Sequence, residues 1–330
     1  ENFQFNNTST SANTIKLGNA YYATSGFSGN TITVTSTVAT PLTVDANLVT
    51  DAAKNINVTG TTAVDNLTGG AGNDVLVGGG GADTLIGGAG SDTITYQTTG
   101  NIHGDAGSAV VGTDSDTLVL NQAATIDLSQ LDQDGGTTNN LTGFENVNAT
   151  GSSGAVILTG SSGANILTGG AANDTITGGA GDDVLTGGGG SDVLFGGDGN
   201  DIIVYDAADL AGTATLVYDG GLSTDTLRFD GAGQLLDLTA IAQTKITGIE
   251  NINLTGTGNN TLTLNVQDVL DLSGTTDQLI VLGNTGDVVN STGQGWVAGS
   301  NVLLNGETYA SYTNGFASLL VDTDITRNIS

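Results

Sequence analysis

Two blocks of nonapeptide repeats constrain this chain more than any other feature of its sequence. Residues 69–95 read GGAGNDVLV, GGGGADTLI and GGAGSDTIT, and residues 169–204 read GGAANDTIT, GGAGDDVLT, GGGGSDVLF and GGDGNDIIV. Six of the seven fit Gly-Gly-x-Gly-x-Asp-x-U-x, where U is aliphatic, and the exception has Ala172 at the fourth position. Because this repetition is in phase and short in period, it predicts a stack of similar coils.

Each nonapeptide predicts a tight turn followed by a short strand. The first six residues form the turn, in which glycine permits a positive φ and a close approach of stacked backbones. The last three form the strand, and two nonapeptides complete one coil of a parallel β-helix, so that residue n lies over residue n+18. The middle residue of each strand is expected to point inward, namely Leu76, Leu85, Ile94, Ile176, Leu185, Leu194 and Ile203.

This register stacks acidic side chains on one another. Asp74 would lie over Asp92, and the second block repeats the pattern. The chain has 34 acidic and only 5 basic residues, a net charge of −29, so the stacked carboxylates would repel one another strongly. A hard cation that takes six or more oxygen ligands removes this repulsion, and Ca²⁺ suits a loose oxygen cage better than Mg²⁺. The spacing therefore predicts several calcium ions.

Degenerate copies of the repeat extend both blocks. A copy with Asp65 in the ligand position precedes the first block, and copies with Val156 and Asn165 in that position precede the second. Asp65 would stack over Asp83, Asn165 would be a weaker ligand, and Val156 cannot be one. The predicted metal ligands are Asp65, Asp74, Asp83, Asp92, Asp174, Asp183, Asp192 and Asp201.

At these nonapeptides the chain resembles the RTX (repeats-in-toxin) family, calcium-binding β-roll proteins that bacteria export by type I secretion. The resemblance implies a β-roll that binds several Ca²⁺ ions, meets the type I export machinery, and works outside a Gram-negative cell or on its surface. Residues 261–330 look like the C-terminal region of large RTX adhesins, which carries or abuts the export signal. A capping role is also predicted there, in which aromatic side chains cover the open end of the stack, namely Trp296, Tyr309, Tyr312 and Phe316.

A second, longer repeat surrounds the nonapeptides. Asp116-Thr-Leu begins one segment that ends in Thr-Gly-Phe-Glu-Asn, and Asp225-Thr-Leu begins another that ends in Thr-Gly-Ile-Glu-Asn. Strand-like alternation dominates, and only residues 207–212 and 266–272 suggest short helices. We predict an all-β chain, one elongated parallel β-roll with a C-terminal β-rich cap. The predicted segments are an N-terminal β-rich part (1–59), the first nonapeptide block (60–95), a strand-rich segment (96–150), the second block (151–204), a second strand-rich segment (205–260) and the cap (261–330).

The composition argues against several function classes. The chain has no cysteine and one histidine, which excludes thiol catalysis, Cys-type zinc sites and multi-histidine metal centres. Five basic residues cannot line a nucleic-acid surface, and without a run of 18 apolar residues we expect no membrane span.

Some acidic residues allow more than one interpretation. Glu145 and Glu250 occupy equivalent positions, which is compatible with a paired-carboxylate hydrolase; satisfying the backbone or ligating an ion at a coil boundary is the favoured alternative, and we expect no enzyme. Asp114-Ser-Asp116 and Asp132-Gln-Asp134 resemble the beginnings of calcium loops without a full EF-hand pattern, so they are candidates for extra ion sites. The lone histidine, His103, is expected on the surface or in a loop.

The function expected from these features is that of a secreted, calcium-dependent structural or adhesive protein of a bacterial surface. Charge repulsion would keep the chain expanded at low intracellular calcium, and calcium outside the cell would couple binding to folding. An alternative is a subunit of a surface layer or extracellular filament, which would associate with copies of itself. A third is the non-catalytic tail of an RTX enzyme.

Overall fold

Short strands account for almost all of the regular structure in the computed structural model of this chain. The structure describes residues 2–5, 13–19, 30–36, 39–96, 99–105, 114–130, 133, 140–206, 216–273 and 276–330. The chain divides into two compact units, Glu1–Ser153 and Gly154–Ser330. Among the described residues, no helix has the length and apolar character needed to span a bilayer.

The first unit is built from short strands that pair in parallel. Its strands are β1 (Asn2–Phe5), β2 (Asn13–Gly18), β3 (Thr31–Ser36), β4 (Leu42–Leu48), β5 (Asn55–Thr59), β6 (Asn66–Thr68), β7 (Val75–Val77), β8 (Asp83–Gly88), β9 (Thr93–Thr95), β10 (Gly100–Asp105), β11 (Thr117–Val119), β12 (Thr125–Asp127), β13 (Asn140–Thr142) and β14 (Asn146–Asn148). In one sheet the order is β2, β4, β6, β8, β10 and β13, and in a second it is β1, β3, β5, β7, β9, β11 and β14.

The second unit repeats this architecture and adds one helix. Its elements are β15 (Ile157–Thr159), β16 (Ile166–Thr168), β17 (Thr175–Ala180), β18 (Val184–Thr186), β19 (Val193–Asp198), β20 (Ile202–Tyr205), β21 (Val217–Leu222), β22 (Thr226–Phe229), β23 (Leu235–Asp237), the 3₁₀ turn η1 (Leu238–Ala240), β24 (Ile246–Thr247), β25 (Asn251–Asn253), β26 (Thr261–Thr263), α1 (Val266–Leu272), β27 (Gln278–Leu282), β28 (Val288–Ser291), β29 (Val297–Ala298), β30 (Val302–Leu304), β31 (Glu307–Asn314), β32 (Ala317–Asp322) and β33 (Thr326–Ile329).

Three series of parallel strands organise the second unit. They are β15-β17-β19-β21-β24, β16-β18-β20-β22-β25-β27-β32 and β23-β26-β28-β33. The predicted parallel β-roll is therefore confirmed. The predicted helix at residues 266–272 is confirmed as α1, which Asn265 caps by accepting a hydrogen bond from the Asp268 backbone N–H at 3.0 Å. The other predicted helix, residues 207–212, lies outside the described residues.

The core consists of files of aliphatic side chains stacked one per coil. Leu76 pairs with Ile94, and Leu185 pairs with Ile203, so residue n lies beside residue n+18 as predicted. Each fully buried Leu or Ile contributes about 1.5–3 kcal/mol relative to an exposed one. All seven side chains predicted to point inward are 0% exposed, namely Leu76, Leu85, Ile94, Ile176, Leu185, Leu194 and Ile203.

Antiparallel pairs are added to the parallel pattern near the end of the second unit. Strand β31 pairs antiparallel with β32, and β29 and β30 pair antiparallel with β31. Trp296 is only 8% exposed, and its Nε1 donates a hydrogen bond to Ser291 Oγ at 2.8 Å, while Tyr309 is 4% exposed. The expectation that Phe316 helps to cover the stack is wrong: it lies at the tip of the tight turn between β31 and β32 and is 89% exposed.

Candidate calcium sites

The glycine turns place the aspartates of the nonapeptides inside the fold. In the repeat GGGGSDVLF, Gly188 and Gly190 have φ of 97° and 125°, a left-handed backbone that residues with a Cβ rarely adopt. The turn brings Asp192 inward, where it is 0% exposed. Exposure of at most 2% is shared by all eight predicted ligands, namely Asp65, Asp74, Asp83, Asp92, Asp174, Asp183, Asp192 and Asp201.

The stacked aspartates form continuous series that we call carboxylate ladders. The Oδ1 of Asp92 accepts a hydrogen bond from the backbone N–H of Asp74 at 2.7 Å. Asp201 accepts the same bond from Asp183 at 2.8 Å. Equivalent bonds join Asp83 to Asp65 and Asp192 to Asp174. The predicted stacking is thus present, and each carboxylate also satisfies a backbone donor of the preceding coil.

One ladder of each unit continues beyond the nonapeptides. The continuation is Asp92, Asp116 and Glu145 in the first unit, and Asp201, Asp225 and Glu250 in the second. Neither Asp116 nor Asp225 was among the eight predicted ladder ligands, because each follows the previous aspartate by 24 residues instead of 18; Asp116 was predicted only as part of a possible extra ion site at Asp114-Ser-Asp116. The repeated triplet Asp-Thr-Leu was the signal that could have found them.

The hydrogen bonding of the second carboxylate oxygen, Oδ2, distinguishes two classes of ladder aspartate. Asp74 Oδ2 and Asp174 Oδ2 accept hydrogen bonds at 2.6 Å from the N–H of Gly70 and Gly170, within their own turns. In the second class of ladder aspartates, Oδ2 is buried and has no hydrogen-bond partner among the described residues. The members of this class are Asp92, Asp183, Asp201 and Asp225. A buried carboxylate oxygen without a donor is costly, so these atoms are where a cation is most needed.

Backbone carbonyls meet these oxygens at the first glycine of the repeat. A Cβ on Gly178 would contact Asp183 Oδ2 and would lie 2.6 Å from the carbonyl oxygen of Gly196. A Cβ on Gly196 would likewise contact Asp201 Oδ2 and the carbonyl oxygen of the next coil. Carboxylate and carbonyl oxygens are the ligands that Ca²⁺ takes in proteins. The residues present therefore fit calcium, which would occupy oxygen cages between successive coils.

The electrostatics of the ladders also favour a cation. Burial, reinforced by repulsion from Asp116 and Asp74, raises the pKa of Asp92 to about 9. Burial, reinforced by Asp201, raises the pKa of Asp183 to about 7. In the part of the chain that the structure describes, the ion pairs are Lys16–Asp45 and Arg228–Asp230, and neither includes a ladder residue. A bound cation would supply the missing positive charge and keep the carboxylates ionised.

The weaker sequence candidates each have a place in a carboxylate ladder of the second unit, Asn165 below Asp183 and Val156 below Asp174. Asn165 Oδ1 accepts a hydrogen bond from Ser161 N–H at 2.7 Å, so its amide oxygen takes the role that a carboxylate has in the first repeat of each block. Val156 is buried, and its N–H donates to Asp174 Oδ1 at 2.8 Å. Val156 therefore belongs to the ladder through its backbone alone.

The remaining acidic and histidine candidates differ in outcome. Asp114 lies beside Asp116 and Asp105, with ligand oxygens within 4.8 Å of one another. Asp132 and Asp134 lie outside the described residues. His103 lies within β10 and not in a loop; its side chain is half-buried, partly at the surface, and its Nδ1 shares a 2.8 Å hydrogen bond with Thr142 Oγ1. Burial lowers the pKa of His103.

Comparison with known families now identifies the repeats. A model of the RTX calcium-binding nonapeptide repeat matches residues 59–94, 148–176 and 168–203. This chain contains RTX calcium-binding nonapeptide repeats. The matches coincide with the carboxylate ladders, and RTX nonapeptides bind Ca²⁺, so the calcium prediction is confirmed. No match was found among curated proteins. The family match ends before residues 261–330, whose resemblance to RTX adhesins stays a prediction.

Proposed function

We propose that this RTX protein is a secreted structural or adhesive component of a bacterial surface that folds when it binds extracellular calcium. The observation that carries the proposal is the buried carboxylate ladder, in which Asp92, Asp183 and Asp201 have a buried oxygen with no hydrogen-bond partner in the described chain. With a net charge of −29, the calcium-free chain repels itself and stays expanded. Calcium removes this repulsion, so binding and folding are coupled.

A non-catalytic role suits the acidic residues that were compatible with hydrolysis. Glu145 Oε2 accepts a hydrogen bond from Asp116 N–H at 2.8 Å, and Glu250 Oε2 accepts one from Asp225 N–H at 2.9 Å. Each glutamate thus joins a carboxylate ladder of its own unit as an acceptor for a backbone N–H. The tail of an RTX enzyme remains the third candidate, and a catalytic domain joined to this chain in its full-length protein would favour it.

Self-assembly into a surface layer or filament is the second candidate, and an exposed apolar surface favours it. The antiparallel part of the second unit exposes Val297, Leu303 and Phe316, at 66%, 70% and 89%. A strand edge with exposed apolar side chains is a template for association with another copy.

A calcium titration tests the proposal. Circular dichroism and light scattering should show an expanded chain in chelator and a compact β-rich chain in millimolar calcium. A chain that is folded and equally stable in chelator would contradict the proposal. Electron microscopy of the calcium-bound protein separates the two candidates: an ordered lattice or filament indicates assembly, whereas dispersed particles that bind cells indicate an adhesive module.

A further inference from the structure

The ladder of the second unit reaches an acidic pair beyond the last nonapeptide. Asp225 is 0% exposed, and its Oδ1 accepts a hydrogen bond from Asp201 N–H at 2.7 Å. Its Oδ2 is buried and has no hydrogen-bond partner among the residues that the structure describes. Glu250 is 8% exposed and accepts a hydrogen bond from Asp225 N–H through Oε2. Both side chains are therefore buried, and Asp225 keeps one carboxylate oxygen without a donor in the described chain.

Other oxygens border the same place. A Cβ on Gly220 would contact the carbonyl oxygen of Gly248 and would lie 2.8 Å from Asp225 Cγ, so the carbonyl and the carboxylate flank a space that only glycine leaves open. A Cβ on Gly248 would lie 3.0 Å from Asp219 Oδ1. Burial, with repulsion from nearby carboxylates including Glu250, raises the pKa of Asp225 to about 7. Oxygen atoms from three chain segments thus converge at this place.

We propose that Asp225 and Glu250, with the carbonyl oxygen of Gly248, bind a calcium ion outside the nonapeptide blocks. Two carboxylates and a backbone carbonyl form an all-oxygen donor set, which a hard divalent cation prefers. The ion joins the segment that begins at Asp225 to the Thr-Gly-Ile-Glu-Asn sequence 25 residues later in the ladder. The longer repeat then has a function of its own, because its first and last acidic residues complete a calcium site.

The first unit contains the same arrangement at the equivalent residues. Asp116 is 1% exposed, and its N–H donates to Glu145 Oε2. A Cβ on Gly104 would contact both Asp116 Oδ2 and the carbonyl oxygen of Gly143, as a Cβ on the equivalent glycine of the second unit would meet its carbonyl. The carboxylates of Asp105, Asp114 and Asp116 also lie within 4.8 Å of one another. The longer repeat therefore builds this site twice.

The test counts calcium ions on the full chain. This inference rests on calcium binding by the repeats and not on an adhesive or structural role, so a failure of adhesion would leave it intact. Native mass spectrometry and calorimetric titration with Ca²⁺ should show one ion fewer for Glu250→Gln than for the wild type, or at least tenfold weaker binding of one ion. Glu250→Gln retains an oxygen acceptor for the Asp225 N–H, so the ladder bond can persist.

Two comparisons make the outcome decisive. Glu307→Gln removes the same charge from an exposed position in the same unit and should retain every ion. Glu145→Gln should lose an ion independently, so the double variant with Glu250→Gln should lose two. An unchanged ion count in both Glu250→Gln and Asp225→Asn would overturn the proposal and would show that Asp225 is held as a neutral acid. Equal losses in Glu307→Gln would also overturn it, since only net charge would then matter.

Discussion

Replacing the first glycine of a nonapeptide should damage calcium binding far more than replacing the third. A Cβ on Gly187 would contact Asp192 Oδ2 and would lie 2.7 Å from Cγ and 2.8 Å from Cβ of Asp192. These separations are shorter than carbon atoms tolerate, so Gly187→Ala forces the Asp192 carboxylate out of the ladder. A Cβ on Gly189 would find its nearest atom, the Cα of Ala171, at 3.6 Å, which is an ordinary contact.

The size of the effect follows from comparing the two variants. Both replace glycine by alanine, which restricts the unfolded chain by an equal amount worth about 0.4–1 kcal/mol, so this contribution cancels. Gly189→Ala should then be neutral or slightly stabilising. Overpacking at Gly187 costs about 1–3 kcal/mol. Since about 1.4 kcal/mol is a tenfold change in an equilibrium constant, the calcium midpoint of Gly187→Ala should rise by roughly fivefold to a hundredfold.

The assay is a calcium titration of the three proteins, followed by circular dichroism in the far ultraviolet and by calorimetry. Gly189→Ala should overlay the wild type, and Gly187→Ala should require more calcium to reach the same folded signal. Superimposable curves for Gly187→Ala and Gly189→Ala would refute the reasoning, because they would mean that the space beside Asp192 is not used by the ladder.

Three further predictions concern pH, ladder class and the C-terminal region. Burial raises the pKa of Asp92 and Asp183 above the unfolded value of about 4, so the calcium-free folded state binds protons more tightly than the unfolded state. The calcium-free fold should therefore be stable at acid pH and lose this stability as pH rises through about 7–9. Circular dichroism in chelator would show this loss, and stability that rises over the same range would contradict it. Asp183→Asn should weaken calcium binding at least tenfold, whereas Asp174→Asn should change it less, because Asp174 Oδ2 already accepts a turn N–H; calorimetry that ranks them in the reverse order would refute the two classes. Trp296→Ala should lower the free energy of unfolding in calcium by about 3–5 kcal/mol, measured by denaturant titration, and a loss below 1 kcal/mol would show that Trp296 does not stabilise this region.

The coil register and the inward side chains could be predicted because each is set locally. A glycine-rich turn of fixed length followed by one aliphatic position determines which side chain faces the core, whatever lies elsewhere in the chain. The stacking of Asp74 with Asp92 then follows from two repeats per coil. The calcium assignment rested on the same short-range pattern, combined with the shortage of basic residues.

The division of the aspartates into two classes could not be predicted. The first and third repeats of the first block, GGAGNDVLV and GGAGSDTIT, have the same pattern, yet Gly88 has φ of 120° while the equivalent Gly70 does not have a left-handed backbone. As a result the N–H of Gly70 donates to Asp74 Oδ2, and Asp92 Oδ2 has no such donor in the described chain. Which backbone a turn adopts depends on the neighbouring coil, which the repeat itself does not encode.

The change of spacing beyond the nonapeptide blocks kept Asp116 and Asp225 out of the predicted stacks. A search at a period of 18 residues misses Asp116, which follows Asp92 by 24, although the hydrogen bond between them has the same atoms and the same length as one within the block. The longer repeat singled out Glu145 and Glu250, but spacing alone did not show that they accept the backbone N–H of Asp116 and Asp225. These hydrogen bonds depend on how separate segments of the chain pack beside each other, which the spacing within one segment does not determine.

The hydrogen bond between successive ladder residues stays the same although the number of residues between them varies. This affects how such a chain can gain or lose residues. From Asp74 to Asp92 the interval is 18 residues, and from Asp201 to Asp225 it is 24, yet each joint is one N–H donating to one Oδ1 at 2.7 Å. A segment inserted between two ladder residues alters no joint, provided that an acidic residue returns to the same place. Peptides grafted into the longer intervals should therefore be displayed without disturbing the calcium sites on either side.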